Sequence, residues 1–152
     1  MSEKYDISVI NGVSLVTLNA IPAGADFLGR VFATVCDCGI NVDMISQTPP
    51  QGQNINLSFT VADENISELL QAVNKLDSSG SMASAISAGN CKINLSGEAM
   101  SGSKGVAARF FACMARVSVG AIMITTSEVD ISVLVPHDAA DALAQELSRE
   151  FA

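Results

Sequence analysis

The sequence is poor in the residue types that most often bind metals or perform acid–base catalysis: its 152 residues include one histidine, one tyrosine and no tryptophan. A lone histidine cannot supply the imidazole clusters of common metal sites, and it leaves few candidates for a general base. We therefore expect no metal site, no cofactor and no catalytic residues in this chain.

Basic residues are also scarce, since 8 Lys and Arg residues against 16 Asp and Glu residues give a formal net charge of −8. Because such a chain repels phosphate backbones and anionic lipid headgroups, we expect neither nucleic acid nor a membrane as a partner. No stretch approaches the roughly 18 apolar residues of a transmembrane helix, and Met1–Asp6 lacks the features of a signal peptide. These absences predict a cytoplasmic protein.

The four cysteines, Cys36, Cys38, Cys91 and Cys113, are expected to be reduced thiols. Residues two apart on a helix point in different directions, so Cys36 and Cys38 cannot clamp one ion, and no CxxC pair completes a tetrahedral set. We predict that all four serve as small buried hydrophobic residues, with metal or redox chemistry as the minor alternative.

An internal repeat is the most informative feature of the chain. Arg30–Ala33 returns as Arg109–Ala112, 79 residues later, and Leu57–Val61 matches Ile131–Val135 at an offset of 74. The difference falls in the turn Pro49–Gln53, which has no counterpart in the second copy. Because an insertion confined to a loop is typical of two copies of one fold, the chain is predicted to contain two modules.

Each copy shows the same order of strand and helix patterns. Alternation around Val16–Leu18 and Ile93–Leu95 predicts a first strand, and apolar residues at helical spacing follow. Asp26 is predicted to cap the first helix and Gly39 to end it. The predicted helices span residues 26–38, 66–76, 105–117 and 139–151, and the later strands span residues 42–47, 54–61, 81–88, 121–126 and 129–135.

The order β-α-β-β-α needs a fourth strand to complete a ferredoxin-like βαββαβ sandwich. The first copy can take it from residues 81–88, whereas the second copy ends after its second helix. A bare sheet edge would promote aggregation, so the alternating segment 5–10 is predicted to supply the missing strand. We thus predict an α+β fold of two interlocked modules, with a first domain at 11–88 and a second domain formed by 5–10 plus 89–152.

Both copies place a loop of small residues before the first helix, where unpaired amide groups favour an anion. Gly102 is followed by Ser103-Lys104, whereas a phosphate-binding loop needs lysine and then Ser or Thr, so a nucleotide is disfavoured. A small zwitterion fits better, with its carboxylate at the helix N-terminus. In the first copy, the candidates to bind its ammonium group are Asp26, Asn41, Asp43 and Gln47. Alternatively, Asp26 is an ordinary helix cap and the others are turn and strand-edge residues.

No pattern of residues points to catalysis. His137 follows Pro136 just before a helix, where it is expected to cap the helix or face solvent. Glu128 and Asp130 are spaced like a carboxylate pair, but we place them at a solvated strand edge.

Two stretches of the sequence carry the pattern of a known family. Gly39–Ile45, followed by Gln47 and Leu57–Val61, resembles the first ACT domain of aspartokinase, and Gly105–Arg109, followed by Ile124–Val133, resembles the second. The resemblance implies a non-catalytic tandem ACT regulatory region that forms homodimers. It also implies that lysine or threonine binds at ACT–ACT dimer interfaces for feedback control of the aspartate pathway, with an aspartate kinase catalytic chain as a partner.

The resemblance also implies a set of effector-binding positions, although the chain departs from the family pattern near them. The family's Asp-x-Pro-Gly loop is here Ala23–Asp26, and Val119–Ile122 replaces an Asn-containing segment. Two alternatives remain open: a structural dimerisation module with decayed effector sites, or the C-terminal part of a full aspartate kinase. The implied effector-binding residues are Asp26, Phe27, Asn41 and Gln47 in the first copy and Gly105, Val106 and Ala107 in the second.

Overall fold

The computed structural model describes residues 4–152, which form two compact units. The inserted unit comprises residues 12–88, and the terminal unit comprises residues 4–11 together with residues 89–152. In chain order, the elements are β1 (Asp6–Pro22), α1 (Ala25–Asp37), β2 (Ile45–Gln47), β3 (Asn54–Ala62), α2 (Ile66–Leu76), β4 (Ala83–Ser96), α3 (Val106–Arg116), β5 (Met123–Thr126), β6 (Asp130–Pro136) and α4 (Ala140–Phe151). Short 3₁₀ turns precede α2, α3 and α4.

In the inserted unit the strands lie in the order β4-β1-β3-β2, and β3 is antiparallel to both β1 and β2. Val16 lies opposite Phe59 and Leu18 opposite Leu57 across β1 and β3. These four side chains are buried on one face of the sheet, because alternate strand residues share a face. Met82 and Ile86 pack against the same core. The core consists of Val16, Leu18, Ile21, Val31, Val35, Ile40, Ile55, Leu57, Phe59, Val61, Leu69, Ala72 and Leu76.

In the terminal unit the strand order is β1-β4-β6-β5, with β6 antiparallel to both β4 and β5. Ile93 lies opposite Val133, and both side chains are fully buried beneath α3 and α4. The core consists of Cys91, Ile93, Leu95, Val106, Phe110, Cys113, Met114, Ile131, Val133, Val135, Ala140, Leu143, Leu147 and Phe151.

The N-terminal residues complete the terminal unit. Tyr5 and Ile7 pack against its core, and the rings of Tyr5 and Phe151 meet edge to face with centroids 5.2 Å apart. A Cβ atom at Gly97 would lie 2.8 Å from the carbonyl oxygen of Lys4, so the close approach of the N-terminal segment requires glycine there. These contacts confirm the predicted α+β fold of two ferredoxin-like modules interlocked through the N-terminal strand.

The helices agree with the predicted ranges to within one residue, but several strands differ. The strand predicted at 121–126 begins only at Met123, and the segment predicted as a separate strand at 5–10 is continuous with the first strand of the first copy as β1. The strand predicted at 42–47 is shorter, because the N–H of Met44 donates to Oγ1 of Thr60 (2.9 Å) and regular pairing starts only at Ile45. The strand predicted at 81–88 does not end there. It continues without a break into the first strand of the second copy as β4.

The predicted cap of α1 is wrong. Gly24 is the N-cap residue, in extended conformation and without a side-chain hydrogen bond, while Asp26 lies in the first turn. There its negative charge faces the positive end of the helix dipole. The predicted end at Gly39 is confirmed, since this residue takes a φ of +79° directly after the helix.

The prediction for the cysteines is correct for Cys91 and Cys113, which are buried, and wrong for Cys36, which is exposed, and Cys38, which is half-buried. The buried residues of α1 are Val31 and Val35, and Cys36 lies about 100° further around the helix. Among residues 4–152, no helix is long and apolar enough to cross a membrane, and no three His, Cys, Asp or Glu side chains group where they could hold a metal ion.

Candidate functional site

A cleft of about 430 Å³ opens in the terminal unit between the β4–α3 connection and the β5–β6 hairpin. Its size lies within the roughly 300–1,000 Å³ of small-molecule sites. Both walls belong to a single βαββαβ module, at the end where the first strand, the first helix and the hairpin meet. The cleft is lined by Met100, Ser101, Ser103, Gly105, Val106, Ala107, Thr126, Ser127, Glu128 and Ile131.

One wall of the cleft is the N-terminus of α3. Gly105 is the N-cap residue, and its φ of +88° lies in the left-handed region that favours glycine. No side chain caps the helix, so the first amide groups, beginning at Val106 and Ala107, have no partner within it. These amides and the positive end of the helix dipole suit a carboxylate or another anion.

The opposite wall is the β5–β6 hairpin. The Ser127 N–H donates to the Asp130 carbonyl (3.0 Å), and the Ser127 hydroxyl donates to a carboxylate oxygen of Asp130. The Val129 N–H in turn donates to Oγ of Ser127 (3.2 Å), so the hairpin is held in one conformation. The Glu128 side chain is exposed and forms no ion pair within residues 4–152, which leaves its carboxylate available to a ligand.

The two walls therefore present complementary chemistry. The helix N-terminus attracts a negative group, and the Glu128 carboxylate attracts a positive one. None of the residues among 4–152 that line the cleft is basic, and Met100, Val106 and Ile131 provide apolar surface between the polar groups. A free α-amino acid carries both charges a few ångströms apart, and it matches this arrangement better than a molecule with a single charge.

Ion pairs between α3 and α4 hold the helix that carries the amide wall. Nε of Arg109 lies 2.9 Å from Oε1 of Glu150, and Nε of Arg116 lies 2.6 Å from Oε1 of Glu146. The hydrogen bond from Arg109 lowers the pKa of Glu150, and the hydrogen bond to Glu146 raises the pKa of Arg116. Between the helices, burial raises the pKa of the Cys113 thiol, which stays protonated and inert.

The structure brings together three of the residues expected at the site and leaves four apart from them. Gly105, Val106 and Ala107 lie side by side in the cleft. The other four belong to the inserted unit. Of these, Asp26 and Asn41 are exposed. Gln47 ends β2, and its Nε2 donates a hydrogen bond to the Thr48 carbonyl oxygen (3.4 Å). Phe27 is half-buried and lines a different cavity, within the inserted unit.

Sequence reasoning did not select the hairpin residues Thr126, Ser127 and Glu128 as ligand contacts. The order of the elements could have identified them, because the hairpin and the start of the first helix lie at the same end of a βαββαβ module. Glu128 was instead considered with Asp130 as a carboxylate pair. In the structure Oδ2 of Asp130 accepts a hydrogen bond from Nδ2 of Asn94 (3.0 Å), so Asp130 stabilises the sheet while Glu128 lines the cleft.

Comparison with known proteins places this geometry among regulatory domains. A profile described as an ACT domain matches residues 93–151, a range that includes all the described residues lining the cleft. Aspartokinase of Geobacillus stearothermophilus is 27% identical over 139 residues, covering 91% of this chain and 33% of that protein. The chain thus spans about a third of the length of the curated relatives it matches.

Several solved structures match over nearly the whole chain, among them the two that follow. The regulatory subunit of aspartate kinase from Thermus thermophilus, in ligand-free form, superposes with a TM-score of 0.90 at 25% identity and covers 100% of both chains. A chain from the structure of aspartokinase alpha and beta subunits has a TM-score of 0.82 at 26% identity, with 95% of this chain and 96% of that chain covered.

Proposed function

Because this chain is a tandem ACT-domain regulatory region of the aspartokinase family, we propose that it binds a free amino acid and thereby controls an aspartate kinase catalytic chain. The observation that carries the proposal is the cleft of the terminal unit, where the amides at the start of α3 face the Glu128 carboxylate. The role of the chain is regulatory, since the structures that match its full length are regulatory subunits.

The domain assignment forms part of the proposal. Residues 11–88 form the first ACT domain, and residues 5–10 with 89–152 form the second. The division of the chain into two compact units supports these bounds, as does the packing of Tyr5 and Ile7 on the core of the terminal unit. The cleft then belongs to the second ACT domain.

Lysine or threonine is the proposed effector, bound at ACT–ACT interfaces of a homodimer for feedback control. Both carry the α-carboxylate and α-ammonium groups that the two walls of the cleft suit, and their additional polar group would meet the hydroxyls of Ser101, Ser103 or Thr126. In the first ACT domain, Asp26, Phe27, Asn41 and Gln47 are the proposed contacts. An acidic amino acid is disfavoured because the described part of the chain places no basic residue in the lining of the cleft.

The proposed partner is a cytoplasmic aspartate kinase catalytic chain, either as a separate subunit or as a preceding part of the same polypeptide. A similar chain occurs in a structure of aspartokinase alpha and beta subunits, which supports the first arrangement. The curated relatives are about three times longer than the matched region, which supports the second. The genomic reading frame upstream of this sequence distinguishes the two arrangements.

Isothermal titration of the purified chain with all twenty amino acids tests the proposal. We expect one or two to bind, and we expect Glu128→Gln to lower the affinity about tenfold or more, because a hydrogen bond to a charged group contributes about 1.5–3 kcal/mol. Asp141→Asn, at an exposed position on α4, is the matched control and should leave binding unchanged. Equal affinity of the Glu128→Gln variant would remove the cleft from the proposal.

The second candidate function is a dimerisation module whose effector sites have decayed. It is favoured by the loop Ala23–Asp26, where Ala23 stands at the position of the aspartate in the family pattern, and by Val119–Ile122 in the second copy. Analytical ultracentrifugation separates the two. A dimer at micromolar concentration without response to any amino acid supports the module, whereas a dimer that also binds an amino acid supports the regulatory function.

A further inference from the structure

A separate cavity of about 290 Å³ lies within the inserted unit. It opens where the end of β1, the first turn of α1 and the α2–β4 connector meet, and of the effector positions named above it includes Phe27 alone. Its volume lies near the lower end of small-molecule sites, which limits it to a ligand of metabolite size. The residues that define its chemistry are Asn19, Ile21, Leu76, Asp77, Ser79 and Ser81.

The electrostatics of this cavity favour a cation. Among the described residues that line it, Asp77 alone is ionisable. Its Oδ1 accepts a hydrogen bond from the Met82 N–H (3.0 Å), which fixes the carboxylate, while Oδ2 has no hydrogen-bond donor within residues 4–152. Asp77 also caps the C-terminus of α2, where the helix dipole is negative.

Within the part of the chain that the structure describes, no basic side chain lines the cavity to neutralise this negative charge. Lys75 lies in the last turn of α2, but its Nζ is 3.9 Å from Sγ of Cys38, and the residue does not line the cavity. The Arg30 guanidinium lies 4.8 Å from the centroid of the Phe27 ring. Because Arg30 already forms this cation–π contact with Phe27, the ring contributes apolar contact to the cavity and is not expected to bind a second cation.

The remaining surface is divided between a polar rim and an apolar floor. The Asn19 amide and the hydroxyls of Ser79 and Ser81, whose Oγ atoms are 2.6 Å apart, form the rim. Ile21 and Leu76, both buried in the core of the unit, form the floor. A cationic group with an alkyl chain would satisfy both parts, because the charge meets Asp77 and the methylene groups contact the floor.

We propose that this cavity binds a primary ammonium group carried on a short alkyl chain, with the Asp77 carboxylate as its counter-ion and Asn19 as an additional acceptor. The site is distinct from the amino-acid cleft between α3 and the β5–β6 hairpin. It requires no carboxylate on the ligand. Free diamines and the side chains of basic amino acids both carry this group.

Titration of the full chain with 1,5-diaminopentane, followed by ¹H–¹⁵N NMR, tests the proposal. We expect shifts confined to Asn19–Pro22 and Ser79–Ala83. Asp77→Asn should lower the affinity at least tenfold, because it removes the charge while keeping the Oδ1 acceptor for Met82. Asp37→Asn, at an exposed position ending α1, is the charge-matched control and should bind as the parent protein does. Butan-1-ol should cause no shifts.

Titrations with L-lysine and L-norleucine distinguish amino-acid side chains from free amines as the source of the ammonium group. L-Norleucine has the same backbone as L-lysine but no ammonium group on its side chain. Shifts at Ser79–Ala83 with both 1,5-diaminopentane and L-lysine, and none with L-norleucine, would show that the site accepts amino-acid side chains as well as free amines, and shifts with the diamine but not with L-lysine would restrict it to free amines. Shifts with L-lysine but none with the diamine would overturn the proposal, because the ligand would then need its carboxylate. The proposal is overturned if Asp77→Asn binds 1,5-diaminopentane unchanged, or if the shifts cluster at Gly105–Ala107. Glu128→Gln should leave diamine binding intact, so failure of the effector proposal is recognised independently.

Discussion

At the scale of single residues, Gly105 determines how the cleft of the terminal unit is built. Its left-handed conformation turns the chain into α3 without a side-chain cap, and this leaves the first amides of the helix facing the cleft. A side chain with a Cβ atom finds no steric obstacle there, since nothing lies within 4 Å of the added atom, but it must adopt an unfavourable φ. The cost of substitution is therefore conformational.

We predict that Gly105→Ala destabilises the protein by about 1–2 kcal/mol, which is the usual cost of a left-handed conformation for an L-residue. Any amino acid that binds at the cleft should also bind more weakly, because the amide wall shifts as the strain relaxes. Urea denaturation and calorimetric titration measure the two effects. Gly102→Ala is the control, since Gly102 has no positive φ and open space around it; equal effects of both substitutions would contradict this account.

At the scale of elements, α3 and α4 are joined by ion pairs whose strength depends on pH. Arg109 donates through Nε to Glu150 Oε1 (2.9 Å) and through Nη2 to the Glu150 carbonyl (2.9 Å). The first bond lowers the pKa of Glu150 in the folded state. Ionised Glu150 thus stabilises the protein fully above its unfolded-state pKa, and this contribution is lost as the pH falls through the lower folded-state pKa.

We predict that Glu150→Gln lowers the free energy of unfolding at pH 7 and that the difference from the parent protein shrinks below about pH 4, where the carboxyl group of the unfolded chain becomes protonated. Urea denaturation at a series of pH values between 7 and 2.5 measures it. Glu64→Gln, at an exposed position before α2, provides the baseline. A difference that stays constant across the series would show that Glu150 acts through packing alone.

Elements were also the part of this protein that its sequence predicted best. Helical periodicity placed α2 at its observed limits, and strand alternation in the N-terminal segment identified the strand that completes the terminal unit. The cap of α1 was missed because aspartate is a common cap, whereas Gly24 takes the same role through its backbone conformation alone. The sequence predicted the helix wall of the cleft at Gly105–Ala107 but missed its hairpin wall and the whole cavity of the inserted unit, because these are formed by segments far apart in the sequence, such as Asn19 and Asp77.

At the scale of the whole molecule, the two modules differ in how their cores are completed. The core of the inserted unit comes from one continuous stretch, residues 12–88, whereas the core of the terminal unit needs residues near both ends of the sequence. Tyr5 and Ile7 supply apolar contacts to α4 and its neighbours from the far end of the chain. Substitutions at Tyr5 or Ile7 should therefore lower the stability of the terminal unit, although more than 80 residues of sequence separate them from residues 89–152.

We predict that removing residues 1–10 abolishes cooperative unfolding of the terminal unit while the inserted unit still melts, because the loss of Tyr5 and Ile7 exposes core surface worth about 1.5–3 kcal/mol for each large side chain. Calorimetry should then show one transition of reduced enthalpy, and a hydrophobic dye should bind. Ser8→Ala, at an exposed position of the same strand, should melt like the parent protein. Full retention of the enthalpy in the truncated chain would contradict the interlocked arrangement.

The division of β1 between the two modules has a consequence for biosynthesis. As the polypeptide leaves the ribosome, residues 12–88 can adopt their final structure as soon as they emerge, since all their partners are already present. The segment Asp6–Asn11 has its sheet neighbour in β4 and follows Tyr5, whose ring packs against Phe151 of α4, so its final environment is complete only after α4 has been translated. The inserted unit is therefore expected to fold first, and the module that bears the proposed amino-acid cleft last, through contacts of long sequence separation that fold slowly.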